Sequence, residues 1–190
     1  MSSQVVRTQA SGPRSRRGGR LGGFTLFELL ITLIVAAVLL AIVVPGLSSF
    51  VTSSRLRASQ SEFVSALTLA RSEATKRGSD VAVSARGTVD GSEFLGGWLV
   101  CSDTDQDGTC EDGEPVIREY APLAGQVRFM ARVGETTTKA TSAAFNSRGF
   151  LKSAALKFTL CGPSATTKSY TIRLEQVGIA DVVEGNDTCT

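Results

Sequence analysis

The run from Leu29 to Ser54 carries no charged side chain, and Glu28 stands immediately before it. About 20 apolar residues suffice for a helix to cross a bilayer, and Leu26 to Leu47 reaches that length. The chain is therefore expected to hold one single-pass helix. Glu28 needs a reason within such a segment. An ionisable side chain near the bilayer centre costs about 2.5–3.5 kcal/mol on insertion scales, less near the interface, and such residues usually have a partner. A secretory signal peptide explains the pattern poorly. Its apolar core is about 7–15 residues long, and Glu28 falls where that core should be cleanest.

The stretch Gly22-Gly23-Phe24-Thr25-Leu26-Phe27-Glu28-Leu29-Leu30 follows a leader holding Arg7, Arg14, Arg16, Arg17 and Arg20 with no Asp or Glu. In that order, basic leader, glycine, phenylalanine, glutamate and apolar run resemble the type IV prepilin processing signal. The resemblance implies cleavage by a prepilin peptidase between Gly23 and Phe24, followed by N-methylation of Phe24. It also implies that Glu28 neutralises the amino group of a neighbouring subunit as a filament grows. The electrostatics agree: a carboxylate and an ammonium leaving water together cost less than either alone.

Three segments are expected: a leader at 1–23, a membrane and filament-core helix at 24–52, and a globular domain at 53–190. The leader looks disordered and is set aside as a processing segment. Basic residues concentrate before the apolar run, so that side should stay cytoplasmic and the domain should be periplasmic, outside a bacterial inner membrane. The whole chain carries +2, and without the five leader arginines it carries −3. Net charge therefore gives no bulk attraction to nucleic acid. The domain is long enough for its own core.

Leu56, Phe63, Leu67, Ala70 and Ala74 recur at helical spacing, and Gly78 follows Lys76-Arg77 as a stop. One helix from about Leu26 to Arg77 is predicted, interrupted at Pro45-Gly46, where proline removes a backbone hydrogen bond. Short β-type runs follow at Val81–Ala85, Trp98–Ser102, Val116–Tyr120, Val127–Val133, Lys157–Leu160 and Tyr170–Val177. Thr136–Ala144 reads as an exposed strand or loop. Helix first and strands after predict an α+β fold: a long amino-terminal helix whose second half packs on an antiparallel sheet.

Several segments are similar to the type II secretion protein H / FimT family. They are Leu69–Gly78, Trp98-Leu99-Val100 with Glu114-Pro115-Val116-Ile117-Arg118, and Phe145-Asn146-Ser147-Arg148-Gly149. This resemblance implies a pilin fold and a structural role. The chain would be a minor pilin or pseudopilin of a type II secretion pseudopilus or a type IV pilus. Its partners would be other pilins, the prepilin peptidase and an inner-membrane assembly platform.

Four cysteines lie beyond the apolar run: Cys101, Cys110, Cys161 and Cys189. An even count on the oxidising side of a membrane points to disulfides, with three possible pairings. The favoured ones are Cys101–Cys110, closing a hairpin loop, and Cys161–Cys189, tethering the tail. The resemblance supports the second, because terminal cysteine pairs are frequent in type IV pilins. With no histidine and no Cys-x-x-Cys pair, zinc is disfavoured.

Asp103-Thr104-Asp105-Gln106-Asp107-Gly108, with Glu114, fits the calcium-loop pattern D-x-[DN]-x-[DN]-G-x5-E. Ca²⁺ takes six to eight oxygens, and the glycine permits the sharp turn. Strand-like flanks and Pro115 argue against a true EF-hand, and a solvated acidic turn is the competing reading. No cofactor is otherwise required.

Nothing converges on catalysis: there is no histidine, and no nucleophile-elbow or Ser-x-x-Lys setting. The rival function is DNA uptake. Some proteins resembling FimT bind DNA through a Gly-Arg-x-Arg stretch near the tail. This chain has Gly178-Ile179-Ala180-Asp181 there, lacking both arginines and adding an acid that repels phosphate. Arg148, Lys152, Lys157, Lys168 and Arg173 remain as a candidate basic patch.

Overall fold

A computed structural model describes residues 23–89, 92–125, 127–163 and 168–185, with the side chains of 42–49 left aside. Except for Gly23, the expected leader lies outside these residues. The chain divides into two compact units, one ending at Ile42 and the other beginning at Val43. Helix α1 (Leu26–Arg77) contributes to both.

In the first unit every described residue from Gly23 to Ala41 is exposed. Its surface is apolar all round, including Leu26, Phe27, Leu30, Leu33, Ile34, Val38 and Leu40. Among the described residues no helix is long and apolar enough to cross a membrane. The expected span, Leu26 to Leu47, runs into residues whose side chains lie outside the description. The predicted interruption at Pro45-Gly46 is not found, because α1 is helical through both residues. Proline forfeits one intrahelical hydrogen bond, and the bonds on either side carry the helix across.

The second unit begins on the rest of α1. Gly78 ends the helix at φ +66°, and its N–H still reaches the Ala74 carbonyl at 3.0 Å. Glu73 pairs with Arg77 at 2.7 Å and Lys76 at 3.5 Å across the last turn. Eight strands follow: β1 (Val81–Ala85), β2 (Trp98–Ser102), β3 (Val116–Tyr120), β4 (Arg128–Val133), β5 (Ser142–Phe145), β6 (Leu156–Cys161), β7 (Ser169–Leu174) and β8 (Ala180–Gly185). They form two antiparallel sheets in place of the single one expected, ordered β3-β2-β1-β5 and β4-β6-β7-β8.

The first three strands match the predicted runs to the residue. β7 stops at Leu174 rather than Val177. Glu175–Gly178 turns the chain there, with Gly178 N–H on the Glu175 carbonyl at 2.8 Å and Glu175 N–H on the Ile179 carbonyl at 3.1 Å. The strand after that turn, β8, was not predicted. It is a mostly exposed edge strand carrying Asp181 and Glu184, charges that discourage further pairing. β5, Ser142-Ala143-Ala144-Phe145, overlaps the segment read as strand or loop. It lacks β-branched residues and is made a strand by pairing with β1, Val81 opposite Phe145.

One core joins α1 to both sheets. Leu56, Phe63, Leu67, Ala70 and Ala74 are all buried, as their spacing predicted. Phe63 is the hub. Its ring lies 4.8–5.2 Å from those of Phe94, Trp98, Phe129 and Phe158, at steep interplanar angles. Trp98 belongs to the first sheet, and Phe129 and Phe158 to the second.

Glu93 is a buried acid inside this core, 1% exposed. Its carboxylate meets Lys139 Nζ at 3.0 Å and Arg132 Nη1 at 3.3 Å, and accepts the Ala131 N–H at 3.2 Å. Burial pushes its carboxyl up, but Lys139, two backbone amides and Arg132 outweigh burial and hold it below the ordinary range. A depressed folded-state value adds stability above the unfolded value, about pH 4.3, and that stability is lost as the pH falls through the folded value. Glu93→Gln should therefore cost about 3 kcal/mol at pH 7, in the range for breaking a buried pair. The gap from the unsubstituted chain should narrow below about pH 4.3. Urea denaturation at pH 7, 5 and 3.5 reads both; a gap that ignores pH would refute this role.

Candidate functional site

The amino-terminal candidates stand at the start of α1. Gly23, Phe24 and Thr25 precede the helix, and Phe24 is 80% exposed. Thr25 is the helix cap. Its hydroxyl oxygen accepts the Glu28 N–H at 3.2 Å, and its carbonyl accepts the Leu29 N–H at 3.2 Å. Thr25-Leu26-Phe27-Glu28 thus has the capping-box spacing, a helix-start signal the sequence reading overlooked. Glu28 lies in the first turn, exposed, where a carboxylate also suits the helix dipole. It has two physical duties open to it, helix start and charge partner.

The second group sits on the β2–β3 hairpin. Cys101 and Cys110 form the expected disulfide, with Cα atoms 5.7 Å apart. Cys101 is buried, and the Cys110 N–H is held by the Ser84 hydroxyl oxygen at 2.8 Å. Cys161 is not free, and its proposed partner Cys189 lies outside the described residues. The β2–β3 register jumps at the same place. Val100 opposes Arg118 while Cys101 opposes Val116, leaving Ile117 as a bulge residue.

Within the disulfide-bounded hairpin, Asp103 is buried, and its Oδ2 accepts the Gly108 N–H at 3.0 Å. Lys152 Nζ reaches the same oxygen at 3.5 Å, Asp80 at 2.6 Å and the Gln106 carbonyl at 2.8 Å. Burial pushes the Asp103 carboxyl up, and Lys152 only partly offsets it. Burial also opposes the charge on Lys152, but Asp80 and Asp103 overcome it and raise that ammonium. Glu114 Oε1 accepts the Thr104 N–H at 2.6 Å, and Oε2 the Glu111 N–H at 3.2 Å. Asp107 accepts the Thr109 N–H at 2.7 Å, which lowers its carboxyl. Glu111 is pushed up by the charges of Asp107 and Asp105.

The sequence pattern put Asp103, Asp105, Asp107 and Glu114 in one set. The structure arranges them as two overlapping groups, Asp103-Asp105-Glu114 and Asp105-Asp107-Glu111, each with oxygens within 4.8 Å of one another. Glu111 was missed because the pattern leaves that position free. The candidate basic patch is largely spoken for. Lys152 pairs as above, Lys157 meets Glu135 at 2.9 Å, and Lys168 pairs with Glu184. Of the five, Arg148 and Arg173 are exposed and form no ion pair among the described residues, too few for a phosphate-tracking stripe.

Gly178, at the place compared with the Gly-Arg-x-Arg stretch, has a packing role. It lies at φ +76°, and a Cβ there would overlap the Gly149 carbonyl oxygen and come within 3.0 Å of Arg71 Nε. That same carbonyl accepts the Arg71 Nε–H at 3.0 Å. Three segments quoted for their family likeness, or their tail position, therefore meet at one point on the helix end.

Known proteins agree with this architecture. The minor pilin FimU of Pseudomonas aeruginosa, strain PAO1, matches in two crystal structures. They have TM-scores of 0.55 and 0.52 and identities of 16% and 15%, and cover 70% and 67% of this chain and 92% and 91% of theirs. The minor pseudopilin EpsH from the Type 2 Secretion System of Vibrio cholerae matches with a TM-score of 0.50 at 13% identity, over 68% of this chain and 96% of its own. At such identities the likeness shows the fold. No curated protein sequence gives a significant match. The family model for type II transport protein GspH matches residues 59–178, well over half the chain and nearly all of the described domain. On that match, the chain belongs to the GspH family of type II transport proteins.

Proposed function

We propose that this chain is a minor pilin or pseudopilin, a structural subunit of a type II secretion pseudopilus or type IV pilus. The family description favours the secretion pseudopilus. A prepilin peptidase cuts between Gly23 and Phe24, Phe24 is N-methylated, and the apolar run anchors the chain in the inner membrane with its domain in the periplasm. Assembly then moves the helix from lipid into a filament, where it packs against the helices of other subunits. The observation that carries this reading is the described part of the first unit: a helix exposed from Leu26 to Ala41 and largely apolar, with Glu28 as the only charge among its described residues. A helix apolar all round needs lipid or other helices to cover it.

The test separates the two duties of Glu28. Glu28→Gln keeps a residue suited to the capping box but removes the charge. Glu28→Ala removes both. If Glu28 pairs with a neighbour's amino terminus, both variants should be processed and yet enter sheared filaments at least about tenfold less than the unsubstituted chain, a loss of about 1.4 kcal/mol or more. Immunoblots of the sheared fraction and mass spectrometry of the mature amino terminus give the answer. Normal incorporation of Glu28→Gln would reduce Glu28 to a helix-start residue, and persistence of the intact precursor beside its peptidase would end the processing reading.

A further inference from the structure

We propose that the Asp103–Glu114 loop is a calcium site built into the β2–β3 hairpin, independent of filament assembly. The carboxylates of Asp103, Asp105, Asp107, Glu111 and Glu114 converge there in two groups sharing Asp105. Acidic side chains crowd many exposed turns, so the crowding alone decides nothing. Asp103 decides it. The residue is 2% exposed; its Oδ2 is engaged by the Gly108 N–H and faces Lys152, while Oδ1 is buried with no hydrogen-bond partner. Leaving a buried acceptor unpaired is costly, and more so for a charged group. A fold that brings two further carboxylates to this one supplies the ligand set of a hard cation.

The rest of the loop is fixed in advance. Gly108 at φ +89° turns the chain back, and the Cys101–Cys110 bridge closes the stretch that holds Asp103, Asp105 and Asp107. Glu114 is held by the N–H groups of Thr104 and Glu111. Lys152, already committed to Asp80 at 2.6 Å, approaches only the occupied oxygen of Asp103 and leaves Oδ1 to the ion. An irregular set of several carboxylates suits Ca²⁺, which accepts six to eight oxygens flexibly. Mg²⁺ demands near-octahedral geometry and keeps its water. The flanks are strands, so the ion would lock a hairpin at the edge of the first sheet and would not move helices.

The experiment uses the full chain in detergent micelles, stripped with EDTA and desalted, titrated with CaCl2 and separately with MgCl2 by calorimetry. One Ca²⁺ per chain is expected, with a Kd of about 10⁻⁵–10⁻³ M, the range from sensors to extracellular modules. Asp105→Asn with Asp107→Asn, both at exposed positions, should weaken binding at least about tenfold without lowering the melting temperature of the stripped protein. Asp103→Asn should abolish binding. Absence of saturable heat up to about 10 mM CaCl2, well beyond that range, would overturn the proposal. So would unchanged affinity in the Asp105/Asp107 double variant, or Mg²⁺ binding as tightly as Ca²⁺. These readouts come from the isolated chain, so failure of the filament reading leaves them untouched.

Discussion

Phe63→Ala should remove about 3–5 kcal/mol of stability, the usual cost of truncating a buried phenylalanine to alanine. That is a large share of the roughly 5–15 kcal/mol by which domains are stable. The expectation lies at the high end because of what the ring touches. Four aromatic rings pack on it, three of them in strands of the two different sheets. Edge-to-face pairs each contribute about 0.5–1.5 kcal/mol beyond area burial. The hole would open where helix and both sheets meet, so no single element could collapse into it. Phe63→Leu keeps most of the volume and should cost clearly less. Urea unfolding followed by far-UV circular dichroism reads the series; a loss under about 1 kcal/mol for Phe63→Ala, below the range for such truncations, would mean the hub is not where stability resides.

Gly178→Ala should rank beside it, at about 3–5 kcal/mol. Two costs combine: a non-glycine residue at positive φ, about 1–3 kcal/mol, and overpacking, about 1–3 kcal/mol. The obstacle is the Gly149 backbone carbonyl, which is held by Arg71 and cannot step aside cheaply. Two other glycines grade the argument. Gly149, at φ +79°, would place a Cβ 3.0 Å from Thr75 Cγ2 and 3.3 Å from Arg71 Cγ, side-chain atoms with some freedom to shift. Gly78, at φ +66°, has nothing within 4 Å and bears only the backbone cost. Alanine at 178, 149 and 78 should therefore destabilise in that descending order, measured by thermal melts of the three variants. An equal loss at all three would show that φ alone matters and that the helix-end junction is incidental.

That junction shows where local patterns stop being informative. Arg71 reads as a solvated cation on a helix, and Gly178 as a turn glycine. Nothing near either residue in sequence announces that both meet the Gly149 carbonyl. Glu93 is similar. It sits before an apolar run, and its partners Arg132 and Lys139 come from β4 and the segment after it. The acidic loop lies between these cases. Its spacing was visible as a pattern, but Glu111 joined the set, and Asp103 proved buried, only in three dimensions.

Periodicity and end signals determined the long helix, its stop at Gly78 and the first three strands, because each depends on neighbours a few residues away. The spacing of the two cysteines favoured the Cys101–Cys110 bridge for the same local reason. Only the tertiary structure decided that α1 continues through Pro45-Gly46, that the strands divide into two sheets, that the Ser142–Phe145 segment is a largely buried strand, and that β8 is a strand at all. Those outcomes rest on hydrogen bonds and buried contacts between residues far apart in the chain. Such partners leave no trace in the composition of either segment alone.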